Sequence, residues 1–308
     1  MFRYLLQRIG LALLSIWAVC TITFFISYLA PGDPAQIAAG QHNDPVTIAH
    51  VRHEFGLDKP PLVRYGLYLN GVAHGDLGKS FYDREPVTAF LKRGLPNTAL
   101  VAFDAILLAL AVGVPIGLLA AQKPNSFWDR FLMTSVLVGV TLPNFVLGPV
   151  LILIFVLRLG WLPLGQWGSP ADVILPAVVL AARPAALIAR MTRSSLLETL
   201  RQDYIRTARA KGLSPATVLV KHALKNAFLP VLTTIGVQLG YLLTGSFVVE
   251  TIFTVPGIGF QSINSLFQRD YSVIQGVTLV IAVIFILTSL IVDLLYVLLD
   301  PRVKAQNA

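Results

Sequence analysis

Charge is scarce in this 308-residue sequence: 13% of its residues are Asp, Glu, Lys or Arg, against 55% hydrophobic. Soluble domains carry about 25% charged residues, so composition alone excludes an ordinary globular enzyme or nucleic-acid module. Cysteine is nearly absent. The single Cys20 rules out a disulfide framework and a Cys-based zinc site, and inside an apolar run it reads as a small buried hydrophobe. There is no Gly-x-Ser-x-Gly elbow, no low-complexity linker and no internal repeat. His50 and His53 stand three apart on an expected helix but lack the rest of a zinc ligand set. Neither a metal nor a cofactor is expected, and no catalytic residue is assigned.

What remains is apolar sequence in lengths that cross a bilayer. Six spans are drawn: Ile9–Leu29, Thr98–Ala121, Phe131–Leu157, Val173–Ala189, Leu229–Ile252 and Gly276–Leu299. Hydrocarbon offers no partners to free backbone groups, so each is helical and the fold class is an all-α polytopic bundle. The fourth span is short and Arg183–Pro184 interrupts it; Pro143, Gly148 and Pro149 are expected to bend the third. The first run is too long for a cleavable signal peptide.

An even number of spans places both termini on one side. That side receives Arg3, Arg8, Lys123, Arg130, Arg302, Lys304 and eight cations between 190 and 228, opposed only by Asp129, Glu198, Asp203 and Asp300. The other side carries seven cations matched by seven carboxylates between residues 30 and 97. The basic excess therefore marks the cytoplasmic face and accounts for the net charge of +8 without nucleic acid. The outer 30–97 piece is expected to be compact and partly helical, with helix starts at Asp44–Pro45 and Glu85–Pro86. It has room for a lid or for docking a soluble partner, and equally for a packed cap on the bundle.

One outer motif imitates a nucleotide site. Ala73–Ser80, AHGDLGKS, is nearly a phosphate-binding loop, but Ala73 replaces its first glycine and no apolar strand precedes it. Energy from ATP must then come from a partner. The inner segment 190–228 has clearer physics. Asp203 is expected to cap a short helix through Tyr204, Arg206, Thr207, Ala208 and Ala210, with Arg209 and Lys211 toward its C-terminal end. Gly212 supplies a left-handed position before Leu213, and Ser214–Pro215 restarts a helix bearing Val218, Val220, His222, Leu224 and Phe228. Lying flat on lipid explains an amphipathic helix but not the tight turn in its middle.

This segment resembles the cytoplasmic coupling loop of ABC importer permeases, the EAA loop. Measured from Gly212, the family's Glu-Ala-Ala falls on Arg206, Thr207 and Ala208, and its closing Leu-Pro on Leu224 and Lys225. Both departures are those of the dipeptide/oligopeptide branch. LAPGDP (29–34), FGLDKPPLVRYGLYL (55–69), GDLGKSF (75–81), ARMTRSSLLETL (189–200), VVETIFTVPGIG (248–259), RDYSVIQG (269–276) and DLLYVLLDPR (293–302) agree with that branch, in order along the whole chain. Ser272 departs where the branch often has proline.

The resemblance implies a permease subunit with no nucleotide site of its own, in a prokaryotic plasma membrane. Its implied partners are a second homologous permease, two cytoplasmic ATP-binding subunits, an extracytoplasmic substrate-binding protein and a peptide substrate. Residues 203–213 with His222 and Leu224 would form the coupling loop. Asp104, Arg183, Glu250 and Asp293 are ionisable groups in or near spans; the first three are candidates for the translocation path. Asp104 and Glu250 lie near span ends, where they could simply reach the interface; Arg183 is deeper, and lining the path and pairing structurally both stay open for it. The alternative is a proton-coupled secondary transporter or channel subunit using these groups as a relay, which leaves the inner loop without a task.

Overall fold

The computed structural model describes residues 2–40 and 44–299. Arg302, Lys304 and Asp300 lie outside the described residues, as do the side chains of Arg3 and Asp293. Regular structure among the described residues is helical apart from an isolated antiparallel bridge between Lys79 and Pro86. The helices are α1 (Phe2–Leu29), α2 (Pro34–Ala39), α3 (Pro45–Glu54), α4 (Pro61–Ala73), α5 (Val87–Gln122), α6 (Phe127–Thr141), α7 (Asn144–Leu151), α8 (Ala171–Thr199), α9 (Asp203–Ala210), α10 (Pro215–Thr217), α11 (Leu224–Phe253), α12 (Ile258–Phe267) and α13 (Tyr271–Leu299). Two π-helical stretches, Ile152–Arg158 and Val218–Ala223, extend α7 and join α10 to α11.

Five continuous helical runs, α1, α5, α8, α10–α11 and α13, are long and apolar enough to cross a membrane; up to seven spans result if each of two broken pairs is counted. The third expected span is one of those pairs. Leu142 sits before Pro143 with ψ 118, the extended backbone that the proline ring imposes on its predecessor. The result is a 100° bend between Phe127–Thr141 and Asn144–Arg158 where the sequence predicts a single bent span. The fourth span departs in the opposite sense. Arg183–Pro184 does not interrupt α8, which runs unbroken for 29 residues through Pro176 and Pro184.

The chain forms two compact units, 99–254 with 287–299 and 2–98 with 255–286. In the first, α8 is the most enclosed helix, and its small residues explain why. A methyl added to Gly113 or Gly117 of α5 would stand 2.6 Å from the Ala185 carbonyl oxygen and 2.5 Å from that of Ala189. This four-residue glycine spacing brings α5 backbone against α8 backbone, the close packing that lipid-embedded helices use in place of a hydrophobic driving force. Gly139 of α6 approaches the Ala182 carbonyl in the same way. These neighbours hold α8 together across the hydrogen bonds its prolines cannot donate.

The second unit contains α1 to α4. Phe24, Phe25, Tyr65 and Tyr68 pack as an aromatic cluster between α1 and α4, and Thr21 Oγ1 lies 2.7 Å from the Tyr65 hydroxyl. Asp33 and Asp44 each accept backbone N–H bonds at a helix start followed by proline. Ala35, Ala39 and Val51 form a small buried core where α2 and α3 pack together. Three ion pairs are internal to the 30–97 segment: Arg52 with Asp33, Arg93 with Glu85, and His53, whose Nδ1 lies 2.9 Å from Asp58 Oδ2. Glu85–Pro86 does not open a helix in the expected manner. Pro86 pairs with Lys79, Glu85 turns to Arg93, and α5 begins at Val87.

Candidate functional site

The helix–turn–helix at 203–228 is built from a buried spine and an exposed face. Ile205 (0% exposed) and Ala208 insert into a core with Ala121 at the end of α5, Leu196 of α8, and Val218, Ala223 and Ala227. Asp203, Arg206, Thr207, Arg209, Ala210, Lys211, Gly212 and Leu213 all face outward. Tyr204 is exposed along one edge, and its hydroxyl accepts a 2.7 Å hydrogen bond from Asn226 Nδ2, which ties α9 to the start of α11. His222 is half-buried, and half-buried Leu224 packs against the same core.

Two local expectations are met and one is corrected. Gly212 has φ +78, a left-handed backbone closing α9, with its N–H bonded to the Arg209 carbonyl. Ser214 caps the following turn by accepting from Thr217 N at 3.3 Å, with Pro215 at the first helical position. Asp203 is not the cap. Gln202 holds that position without a side-chain bond, and Asp203 lies inside the first turn with Arg206 Nη1 3.4 Å away. A first-turn carboxylate still opposes the positive end of the helix dipole, so the substitution of roles costs little.

The second helix does not end at the surface. Through Val218–Ala223 it runs into α11 without a break, so the turn at Gly212–Ser214 is a direct extension of a membrane helix. Within a π stretch one residue is added relative to a regular helix, and such bulges concentrate at functional sites. Sequence reasoning missed this continuity and the anchor beside it. Arg193 of α8 donates two 2.6 Å hydrogen bonds to the buried Asp129 carboxylate, through Nε to Oδ1 and Nη2 to Oδ2. Asn125 N adds a third at 2.8 Å. Asp129 and Arg193, which enter the sequence reading only as part of the inner charge balance, thus fix the 122–130 link to α8. Ile205, three residues before Ala208, was the available signal for the buried face of α9.

The ionisable candidates separate. Glu250 is 0% exposed. Asp104 is half-buried. Arg183 is exposed, with its guanidinium carbon 5.9 Å from the centre of the Tyr241 ring. Elsewhere, the phosphate-loop imitation at 73–80 has another use. Ser80 Oγ donates to the Asp270 carboxylate, which also accepts Phe81 N at 3.2 Å. His53 holds the Asp58 carboxyl below its ordinary range by a hydrogen bond, and no group of three potential metal ligands occurs among the described residues.

Residues 113–305 match the family described as "Binding-protein-dependent transport system inner membrane component", and residues 1–102 match "Binding-prot-dependent transport system membrane comp, N-term". The dipeptide transport system permease protein DppB of Bacillus subtilis is 41% identical over 99% of this chain and 98% of its own. The glutathione transport system permease protein GsiC of Salmonella typhimurium is 40% identical over 99% of each chain. Among solved structures, an inward-facing MetNI methionine ABC transporter chain aligns with TM-score 0.59 at 20% identity, covering 69% of this chain and 97% of that one. An amino acid ABC transporter chain aligns at 0.51 and 19% identity, covering 69% and 93%. These two share the fold.

Proposed function

The chain belongs to the binding-protein-dependent transport system inner membrane components, and from that membership we propose that it forms half of a peptide path through the prokaryotic plasma membrane. It is a permease subunit of an ATP-driven importer rather than an enzyme. In this reading a second, homologous permease completes the path. Two cytoplasmic ATP-binding subunits grip the 203–213 face together with His222, and an extracytoplasmic binding protein delivers di- or oligopeptides over the 30–97 segment. Counting the α6–α7 pair as one broken span gives six spans with both termini cytoplasmic. Residues 190–228 are then the inner coupling region, its first ten residues being the end of α8.

The observation that carries this reading is the outward face of α9. A cationic, exposed surface is held by Ile205 and Ala208 on a spine continuous with α11. Closure of the ATP-binding subunits on that face would move α11 as a lever and shift the bundle between two arrangements. A proton-coupled transporter has no task for this element, and family membership decides against it.

The direct test is purification of the tagged chain in mild detergent with identification of what accompanies it. Recovery of a second multi-span protein and ATP-binding subunits is expected, with the latter lost on Arg206→Glu together with Gly212→Val. A chain that purifies alone and moves solute in liposomes on a proton gradient would overturn the proposal.

A further inference from the structure

A groove of about 560 Å³ follows the seam between α8 and α11. Arg190, Met191 and Ser194 stand on its α8 wall, and Thr233, Thr234 and Gln238 on its α11 wall. The helices run antiparallel along it, and one turn beyond its end Arg183 meets Tyr241. Arg183 and Arg190 are seven residues apart, hence on one face of α8 and about 10 Å apart along its axis. Both are exposed in this chain, and neither meets a carboxylate among the described residues. The third arginine of this helix, Arg193, is already engaged by Asp129. Two guanidiniums on an apolar helix, with no carboxylate beside them among the described residues, need a polar counterpart, and such groups face cavities rather than lipid.

We infer that Arg183 and Arg190 are successive docking points for the free α-carboxylate of the peptide cargo. The inference rests on the importer reading above and specifies its path. A guanidinium presents two parallel N–H donors that match a carboxylate, a geometry an ammonium lacks. A ring contact takes up none of the N–H donors in the plane of the guanidinium, so Arg183 beside Tyr241 keeps its fork for such an anion. Ser194, Thr233, Thr234 and Gln238 offer hydroxyl and amide partners for peptide groups of any sequence. Met191 adapts to varied side chains, which suits a carrier that does not select them. The 10 Å step equals about three extended residues, so a short peptide held at one arginine reaches toward the other. Two such sites share the anion instead of trapping it, as passage requires.

The assembly of both permeases, ATP-binding subunits and binding protein is reconstituted in proteoliposomes. Uptake of labelled dialanine is compared with that of its C-terminal amide, each at a concentration that saturates the binding protein by separate titration. The readout is the ratio of free-acid to amide uptake. Wild type should favour the free acid at least tenfold, and R183Q and R190Q should each bring the ratio within threefold of unity. R183K, which keeps the charge without the fork, should give an intermediate ratio. A wild type without preference, or glutamine variants that retain it, would overturn the carboxylate assignment alone. Absence of ATP-dependent uptake of either peptide by wild type would overturn the importer reading and this inference with it.

Discussion

At Gly212 the backbone is left-handed while the space a side chain would enter is empty: no atom lies within 4 Å of an added Cβ. Strain, not collision, therefore decides what the position accepts. A β-branched residue there costs about 1–2 kcal/mol of backbone energy, while asparagine tolerates the conformation. Gly212→Val is expected to lower peptide uptake at least tenfold with normal membrane insertion, and Gly212→Asn to retain most of it, measured in whole cells against protein level by immunoblot. Equal uptake by both variants would remove the turn from the coupling argument. Asp129 and Arg193 behave differently, because a partly buried pair leaves an uncompensated charge when one member is lost. Asp129→Asn should destabilise the purified protein by roughly 3 kcal/mol, near the lower end for buried pairs because Arg193 is a quarter exposed. The double variant Asp129→Leu/Arg193→Met should recover part of that loss in thermal unfolding in detergent.

Between elements, the π stretch at Val218–Ala223 sets the rotational phase of the Gly212–Ser214 turn relative to α11. Adding one alanine between Thr217 and Val218, ahead of this stretch, would turn α9 by about 100° about the α11 axis. We expect an inserted protein that no longer retains ATP-binding subunits on purification; full retention would show that phase is irrelevant. The elements also show which rules reach from sequence to structure. Caps followed by proline at Asp44 and Ser214, and the left-handed Gly212, were legible because their partners lie within a few residues. Glu85–Pro86 looked identical, yet its carboxylate pairs with Arg93 and its proline with Lys79, a competition local patterns do not register. Pro184 predicts an interruption because a lone helix suffers there. In the fold, α5 and α6 press small residues against α8 and keep it continuous. The α8–α11 groove was invisible for the same reason: only antiparallel packing of two distant helices sets Arg190 opposite Thr234.

For the whole molecule, orientation is the quantity that the basic residues predict and labelling can measure. Cys20 is buried, so replacing it with serine leaves a background without an accessible thiol. In intact cells a membrane-impermeant maleimide should label Lys59→Cys at once and Leu213→Cys only after permeabilisation. The reverse pattern would invert the topology and place the α9 face outside, where no ATP-binding subunit could reach it.

The Asp270 clasp bears on the order in which the molecule comes into being. Ser80 and the Phe81 amide find their acceptor 190 and 189 residues later in the chain. At a translation speed of about 5–20 residues per second, the 75–86 turn waits some ten to forty seconds for the carboxylate that completes it. In the topology proposed above, that interval is spent on the outer side of the membrane, where the unfinished turn stays open to surface proteases. Cleavage there would thus discard chains whose last span stalled in the insertion machinery, before they could compete for partners.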